Sequence, residues 1–500
     1  MDTRVKPGDN LAAIDIGSNS FRLEVGQLPQ RRYRRIEYLK ETVRLGAGLD
    51  ANGMLTEEAA QRGLACLRRF SAHLAGLAAG QVRAVATQTL REARNRNAFL
   101  LRAQEALGYP IEVVSGREEA RLIYAGVNHL QPSDEARLVV DIGGRSTELI
   151  LGRANTPHVA ESFGVGCVSL SLRFFPAGQL TREAFRAAQV AAGAELEEAL
   201  QPFAHEHWTH ALGSSGTAGA VSNLLQAARV TDGRITPEGL RWCIEHCLDA
   251  GHVDRIELPG LKPERRAVLP GGLAILYTLA THFDIDALWP AKGALRQGVI
   301  VDLHERLQAL QQARPGDMRD SSVTALQGRF AVDIAHAQRV GAVALALFDA
   351  AMPDADADTR RELGWACALH EIGLMVSHHD HHRHSAYLLT HVDAPGFSQN
   401  QQRRVAELVL GQRGGLRKVE PQLASETFAW QVLCLRLAVI KCHARGVVDV
   451  NALSLRTHNR EALLGYSASW GQAHPRTLYQ LKEEAAVWTR GGPLLLVLPS

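Results

Sequence analysis

The sequence predicts an α/β protein in which two lobes, each opened by a β-hairpin, precede an all-α domain and a small α+β tail. Three observations predict it. A strand–turn–strand pattern at residues 11–26 is echoed at 138–152. A polar stretch with a Pro-Gly break fills 308–322, which places a domain boundary there. From Val323 to about Arg445 the apolar residues recur at helical spacing, as in Val340–Ala351 and Arg361–Met375. Length agrees, since 500 residues correspond to roughly three or four domains. Hydrophobic residues make up 46% and charged residues 22%, ordinary globular values that exclude wholesale disorder. The net charge of +2 gives no bulk attraction for nucleic acid, so any positive surface is local.

The first hairpin starts with the apolar run Leu11–Ile14, a buried strand ending in Asp15-Ile16-Gly17. Ser18 and Asn19 follow, then a second apolar run. The echo runs through Leu138–Val140 into Asp141-Ile142-Gly143-Gly144-Arg145-Ser146, and on through Glu148. Glycines and small hydroxylic residues let backbone N–H groups approach an anion closely. An aspartate at a strand end can meet a phosphate only through a divalent cation, so the pair Asp15 and Asp141 implies Mg2+. One such hairpin alone would be unremarkable; the repetition favours the phosphate reading. Two hairpins that each open an α/β lobe mark the actin, hexokinase and Hsp70-like (RNase H-like) fold, with phosphates in the cleft between lobes. A third loop supports this: Gly213, Ser214, Ser215, Gly216 and Thr217 feed the helical run from Val221, and a loop entering a helix N-terminus is an anion site. The expected domains are 1–128 with the first phosphate loop, 129–307 with the second, the helical 323–445 and the tail 446–500.

Between the hairpins, residues 82–97 read as a strand leading into a helix. Arg83, Arg91, Arg94, Arg96 and Arg102 cluster there around one acid, Glu92. Ser115 reads as a helix N-cap with Glu118 three residues on, the capping-box spacing. Glu118 is thus structural, and Glu119 has no such task.

With these residues in view, the sequence closely resembles the exopolyphosphatase and guanosine pentaphosphate phosphohydrolase family. DIGSNSF (15–21), ATQTLREA (86–93), SGREEARLIY (115–124), DIGGRSTE (141–148), SFGVGCVSL (162–170), GSSGT (213–217), LPGGLAIL (269–276) and ALRQGVIVDL (294–303) occur in family order. LHEIGL (369–374), HRHSAYLL (382–389) and DAPGF (393–397) extend the resemblance to the long, four-domain members. HRHSAYLL looks closer to the exopolyphosphatase branch. The resemblance implies release of terminal orthophosphate from long inorganic polyphosphate. It makes Glu119 the catalytic base, puts Asp15, Asp141 and Glu148 at the Mg2+ site, and gives Ser18, Asn19, Arg91, Gly143, Gly144 and Ser146 to the substrate phosphates. It also implies a homodimer. One departure stands out: the family commonly has a third glycine at the place of Arg145, where a side chain would narrow the loop or add a phosphate contact. The rivals are guanosine pentaphosphate 5′-phosphohydrolysis on the same fold and a sugar or small-acid kinase of the same superfamily.

The seven scattered cysteines fit a reducing compartment. Cys243 and Cys247, with His246 and His252 nearby, read as plain helix residues ahead of a zinc site. Residues 1–10 carry charge but no apolar leader core, and no stretch has 18 uncharged apolar residues. The expectation is a cytoplasmic protein without a transmembrane segment, with peripheral attachment at the inner membrane surface left open. Arg31, Arg32, Arg34, Arg35, the 83–102 cluster, Arg403, Arg404, Arg413, Arg417 and Lys418 are candidates for a basic track to the cleft, though each alone reads as solvated surface. In the helical domain His336, His370-Glu371, His378, His379, Asp380, His381, His382 and His384 resemble the metal constellation of an HD-type phosphohydrolase, with Glu371 in the aspartate's place. The family's corresponding domain looks HD-like without metal chemistry, and polar surface is the reading favoured here. The tail reads as strands at 451–457 and 462–467, a helix near 475–489 and a last strand at 493–499.

Overall fold

The computed structural model describes residues 9–312, 317–458 and 460–499. Most of the expected leaderless N-terminal stretch, and the Pro-Gly pair of the expected break, lie outside the described residues. The chain forms two compact units, Met1–Arg314 and Pro315–Ser500.

The first unit contains two five-stranded sheets of one topology. In the first, β1 (Leu11–Ile16), β2 (Ser20–Gln27) and β3 (Arg34–Thr42) form an antiparallel meander. β4 (Val82–Ala86) and β5 (Ile111–Val113) add in parallel on the other side of β1, giving the order β3-β2-β1-β4-β5. In the second, β6 (Ala136–Ile142), β7 (Thr147–Arg153) and β8 (Thr156–Phe163) form the meander. β9 (His210–Ser214) and β10 (Leu288–Pro290) run parallel to β6, so the order from the far edge is β8-β7-β6-β9-β10. The sequence echo therefore extends to whole sheets. β1 and β4 are buried along their full length, as strands covered on both faces must be. β3 at the edge presents Arg34, Arg35, Glu37 and Glu41, charges that discourage pairing with another chain.

Two helices carry the centre of the unit. The helix Gly116–Leu130 is capped as expected by Ser115, whose Oγ accepts from the Glu118 backbone N–H at 3.1 Å. The Glu118 carboxylate does not return to the cap. It accepts from Arg121 at 2.7 and 2.8 Å within a buried ionic cluster. There Asp302 accepts from Arg83 and Arg121, each at 2.6 Å, and pairs with Arg306 at 2.7 Å, while Arg83 also donates to Glu112. Three guanidinium and three carboxylate groups balance, and so satisfy the condition for burying charge. The helix Leu295–Gln312 was expected in the second lobe. It instead crosses back to pack on the Gly116–Leu130 helix and on β1. Its Val299 and Ile300 share a core with Leu11, Ala13 and Val127, because β1 has a second apolar face that nothing nearer in sequence covers.

The crossing is very close. A Cβ on Gly298 would collide with the Leu122 carbonyl oxygen, and one on Gly126 with the Ala294 carbonyl oxygen. Both glycines are there for backbone contact. The expected outcome for Gly298→Ala is therefore a loss of about 1–3 kcal/mol of stability, read from urea unfolding, with hydrogen exchange rising first in the Gly116–Leu130 helix.

The second unit is helical through Glu426–Cys442, a helix buried on nearly every side. A three-stranded sheet follows, ordered Ser454–His458, Glu461–Gly465, Leu495–Val497, with the helix Pro475–Gly491 against it. The tail was expected as a separate domain. Its Leu455, Leu464, Leu481, Trp488 and Leu496 join the core of the preceding helices, since three short strands and one long helix cannot close a core alone. No helix among the described residues is long and apolar enough to cross a membrane.

Candidate active site

The two hairpin turns face each other. Ile16 pairs with Phe21 and Ile142 with Thr147, so each turn has the same length. Gly144 lies against the opposite turn: a Cβ there would sit 3.2 Å from Ser18 Cβ and 3.4 Å from the Asn19 nitrogen. The cleft beside this contact is lined by Asp15, Ser18, Asn19, Glu119, Asp141, Gly143, Gly144, Ser146, Glu148, Ser215, Gly216 and Thr217. Twelve of the sixteen candidate residues thus share one hollow.

Pairing places the charges. In the first hairpin Asp15 stands opposite Arg22, which donates to its carboxylate at 3.3 Å. At the corresponding place in the second, Asp141 stands opposite Glu148. One hairpin brings acid with cation, the other acid with acid. Asp141 accepts from Ser215 Oγ at 2.6 Å, and Glu148 from Ser162 Oγ at 2.8 Å. Ser215 opens its helix with φ of +58°, a left-handed conformation that costs a non-glycine residue energy and is found preferentially at functional sites.

Glu119 is 7% exposed. Burial pushes its carboxyl up to about 7; Arg91 opposes this, and Asp15 and Asp141 add to it. Burial likewise raises Asp141, and it holds Glu148 well above the usual carboxylate range with help from Glu119 and Asp141. Four carboxylates in one poorly hydrated cleft repel one another, which is the setting in which a carboxylate becomes a base near neutral pH. They do not form a ready-made cage. Among the described residues, no three ligand atoms from this group lie within 4.8 Å of one another.

Four candidates fall outside the lining. Arg91 donates to Glu119 at 2.7 Å, to Gln88 at 2.6 and 3.0 Å and to the Val114 carbonyl at 3.1 Å. It holds the Glu119 carboxylate, where the sequence reading had it meeting phosphates. Arg145 turns away from the cleft to Glu92, at 2.6 and 3.0 Å, and to the Gly46 carbonyl at 3.2 Å. A cation beside a carboxylate is drawn to it, so the side chain straps one lobe to the other and lies outside the lining of the cleft. Gly213 packs under Leu288 and Ala218, and Ser214 donates to the Gly293 carbonyl at 3.0 Å. Both support the loop from beneath. Three members of the expected basic track are committed to carboxylates: Arg83 is in the buried cluster, Arg102 pairs with Glu57, and Arg404 with Glu362, while Arg31, Arg32, Arg34 and Arg35 are exposed. Cys243 and Cys247 are buried in the helix Pro237–Ala250, as plain helix residues should be.

Two cations in the lining escaped the sequence reading, Arg22 and Arg265. Arg22 was legible in principle, since a turn of known length sets it opposite Asp15. Arg265 lies in a short 3-10 turn, Pro263–Val268, with no local signal. Its guanidinium is packed against Gly216.

A family model for the Ppx/GppA phosphatases matches residues 30–307, and one for domain III of that family matches 318–485. Among solved structures, an exopolyphosphatase-like protein is 25% identical with a TM-score of 0.55, covering 61% of this chain and 100% of that one. The PPX-GPPA enzyme of Aquifex aeolicus is 25% identical with a TM-score of 0.50, covering 59% and 99%. An exopolyphosphatase of Cytophaga hutchinsonii shares the fold at 23% identity and a TM-score of 0.54, covering 60% and 98%.

The electrostatics give a prediction that needs no substrate. Glu119 titrates near 7 when folded and near 4.3 when unfolded, so the folded chain holds the extra proton between those values. Its contribution to stability is full below the lower value and is lost as pH rises through the upper one. The isosteric Glu119→Gln should therefore exceed wild type in stability above pH 7, on the order of 1–3 kcal/mol. The gain should fade toward pH 4. Urea unfolding across that range measures it, and a gain independent of pH would contradict the assignment.

Proposed function

The chain belongs to the Ppx/GppA phosphatase family, enzymes that hydrolyse phosphoanhydrides, and from that premise we propose an exopolyphosphatase that removes terminal orthophosphate from long-chain inorganic polyphosphate. The observation that carries the reading is Glu119, a buried carboxylate held near neutral pKa and lining the cleft between two glycine-turned loops. Water attacks the terminal phosphorus, and Glu119 takes its proton. The P–O bond to the penultimate phosphate breaks, leaving orthophosphate and a chain shorter by one unit. Such a transfer asks mainly for positioning and charge neutralisation. Arg22 and Arg265 supply fixed positive charge, and backbone N–H groups of the Ser18–Asn19 and Gly144–Arg145 turn tips hold nonbridging oxygens, the Gly143 N–H being spent on the Ser146 carbonyl at 2.9 Å. Arg91 orients the base.

The acidic wall fits Mg2+, which is commonly held by one or two carboxylates together with substrate phosphates. Asp15 and Asp141 would hold it, with Glu148 beside them, and it would supply charge neutralisation to the phosphates. The absence of a three-carboxylate cage agrees with that mode of binding. The HRHSAYLL stretch supports the polyphosphate branch over the guanosine pentaphosphate branch.

The test is product analysis on polyphosphate of defined length with Mg2+, beside guanosine pentaphosphate at equal phosphate concentration. Orthophosphate should appear one unit at a time from the polymer, and faster than from the nucleotide. Preferred turnover of the nucleotide would assign the pentaphosphate reaction, and internal fragments would exclude end-cutting. Glu119→Ala should lower kcat by about 10²–10⁴ with little change in KM. Chelation of Mg2+ should abolish release, and its return should restore it.

A further inference from the structure

The histidine run of the second unit was read from sequence as polar surface, and the structure divides it. His378 and His379 are exposed, while His336, His370, His381 and His382 are buried. His336 lies in the first turn of the helix Ile334–Ala351, and His370 caps the C-terminus of Ala357–Leu369 with Glu371 next to it. One ligand atom from each of His336, His370 and Glu371 lies within 4.8 Å of the others, the sole such group among the described residues.

The hydrogen bonding around them is incomplete in a telling way. His370 Nδ1 is 2.7 Å from the Cys367 carbonyl oxygen. A carbonyl only accepts, so Nδ1 carries the proton and Nε2 is left with its lone pair. That nitrogen has no hydrogen-bond partner although the residue is 1% exposed, and His336 Nδ1 is orphaned too at 3%. Most buried polar atoms find a partner, and leaving one without costs stability; the Nδ1 atoms of His381 and His382 are orphaned as well, but among the described residues only His336 and His370 converge with a carboxylate. A ring N–H tied to a backbone carbonyl, with the other nitrogen free, is the arrangement that orients metal-bound imidazoles. All three residues line a solvent-open cavity of about 450 Å³, whose wall also carries Arg413 and Arg445. Arg445 donates to Glu371 at 2.6 Å and to Asp333 at 3.2 Å, and Arg413 to His381 Nε2 at 3.1 Å.

We propose that His336, His370 and Glu371 bind one divalent transition-metal ion through two imidazole nitrogens and a carboxylate oxygen, with its remaining positions open to the cavity. Two imidazoles with one carboxylate suit Zn2+, Mn2+ or Fe2+, whereas Mg2+ prefers oxygen throughout. The cavity wall sets Arg413, Arg436 and Arg445 against Glu371, Glu483 and Glu484, so its fixed charges balance and the remaining positions of the ion would be left to solvent. This site is independent of Glu119 and of the phosphohydrolase reading.

The experiment uses the full chain, stripped by chelation and returned to excess Mg2+ to occupy oxygen sites. It is then titrated with Co2+ alone and, separately, Zn2+ alone. One equivalent should bind saturably, and Co2+ should develop the visible absorption of a four- or five-coordinate ion. His336→Asn and Glu371→Gln should each weaken binding about tenfold or more, with circular dichroism unchanged. Glu371, partly exposed at the rim (11% of its side chain), keeps the test valid if the buried histidine variant fails to fold. The exposed double variant His379→Ala/His391→Ala, outside that cavity, should bind as wild type. Absence of saturable binding overturns the proposal. So does binding that survives in Glu371→Gln, or that is lost in the exposed double variant.

Discussion

Everything in the first unit turns on one unfavourable arrangement, a carboxylate buried among carboxylates. Glu119 shares its cleft with Asp15, Asp141 and Glu148, and one guanidinium, that of Arg91, stands 2.7 Å from it. Burial raises its proton affinity and Arg91 restrains the rise. The folded chain tolerates the repulsion because the scaffold around it leaves the group nowhere else to go.

That scaffold begins one residue away. Glu118 is locked with Arg121, Asp302 and Arg83 in a buried ionic cluster, while its neighbour on the helix faces the cleft. Successive helical positions point about 100° apart. One acid can therefore serve as an anchor and the next as a reagent, with the first fixing the aim of the second. Gly126 and Gly298 bring two helix backbones into contact behind them, which leaves the helix no room to rotate.

Much of this was legible in the sequence because it is local. The hairpins are announced by apolar runs closing on Asp-Ile-Gly, and the cap by Ser115 with its acid three residues on. Duplication made the pair of lobes visible. What escaped depends on contacts between distant segments. Arg145 is drawn away from the cleft to Glu92 of the other lobe, and nothing near either residue announces the other. Arg265 reaches the cleft from a short turn far along the chain. The helix Leu295–Gln312 packs where the apolar face of β1 needs cover, and the linear order of the lobes conceals that need. The histidines misread as surface sit at a helix start and a helix end, positions that are often wet, and only packing of several helices buries them.

That returning helix bears on how the polypeptide is made. Synthesis proceeds from the N-terminus, and domains ordinarily fold as they emerge. Here β1 leaves the ribosome long before the helix that shields its second face, so the first sheet must wait, half covered, until the second has been delivered. Closure of such distant contacts is slow. The nascent chain thus passes through an interval in which Leu11 and Ala13 are bare, and it is in that interval, more than in the finished molecule, that a chaperone would find something to hold.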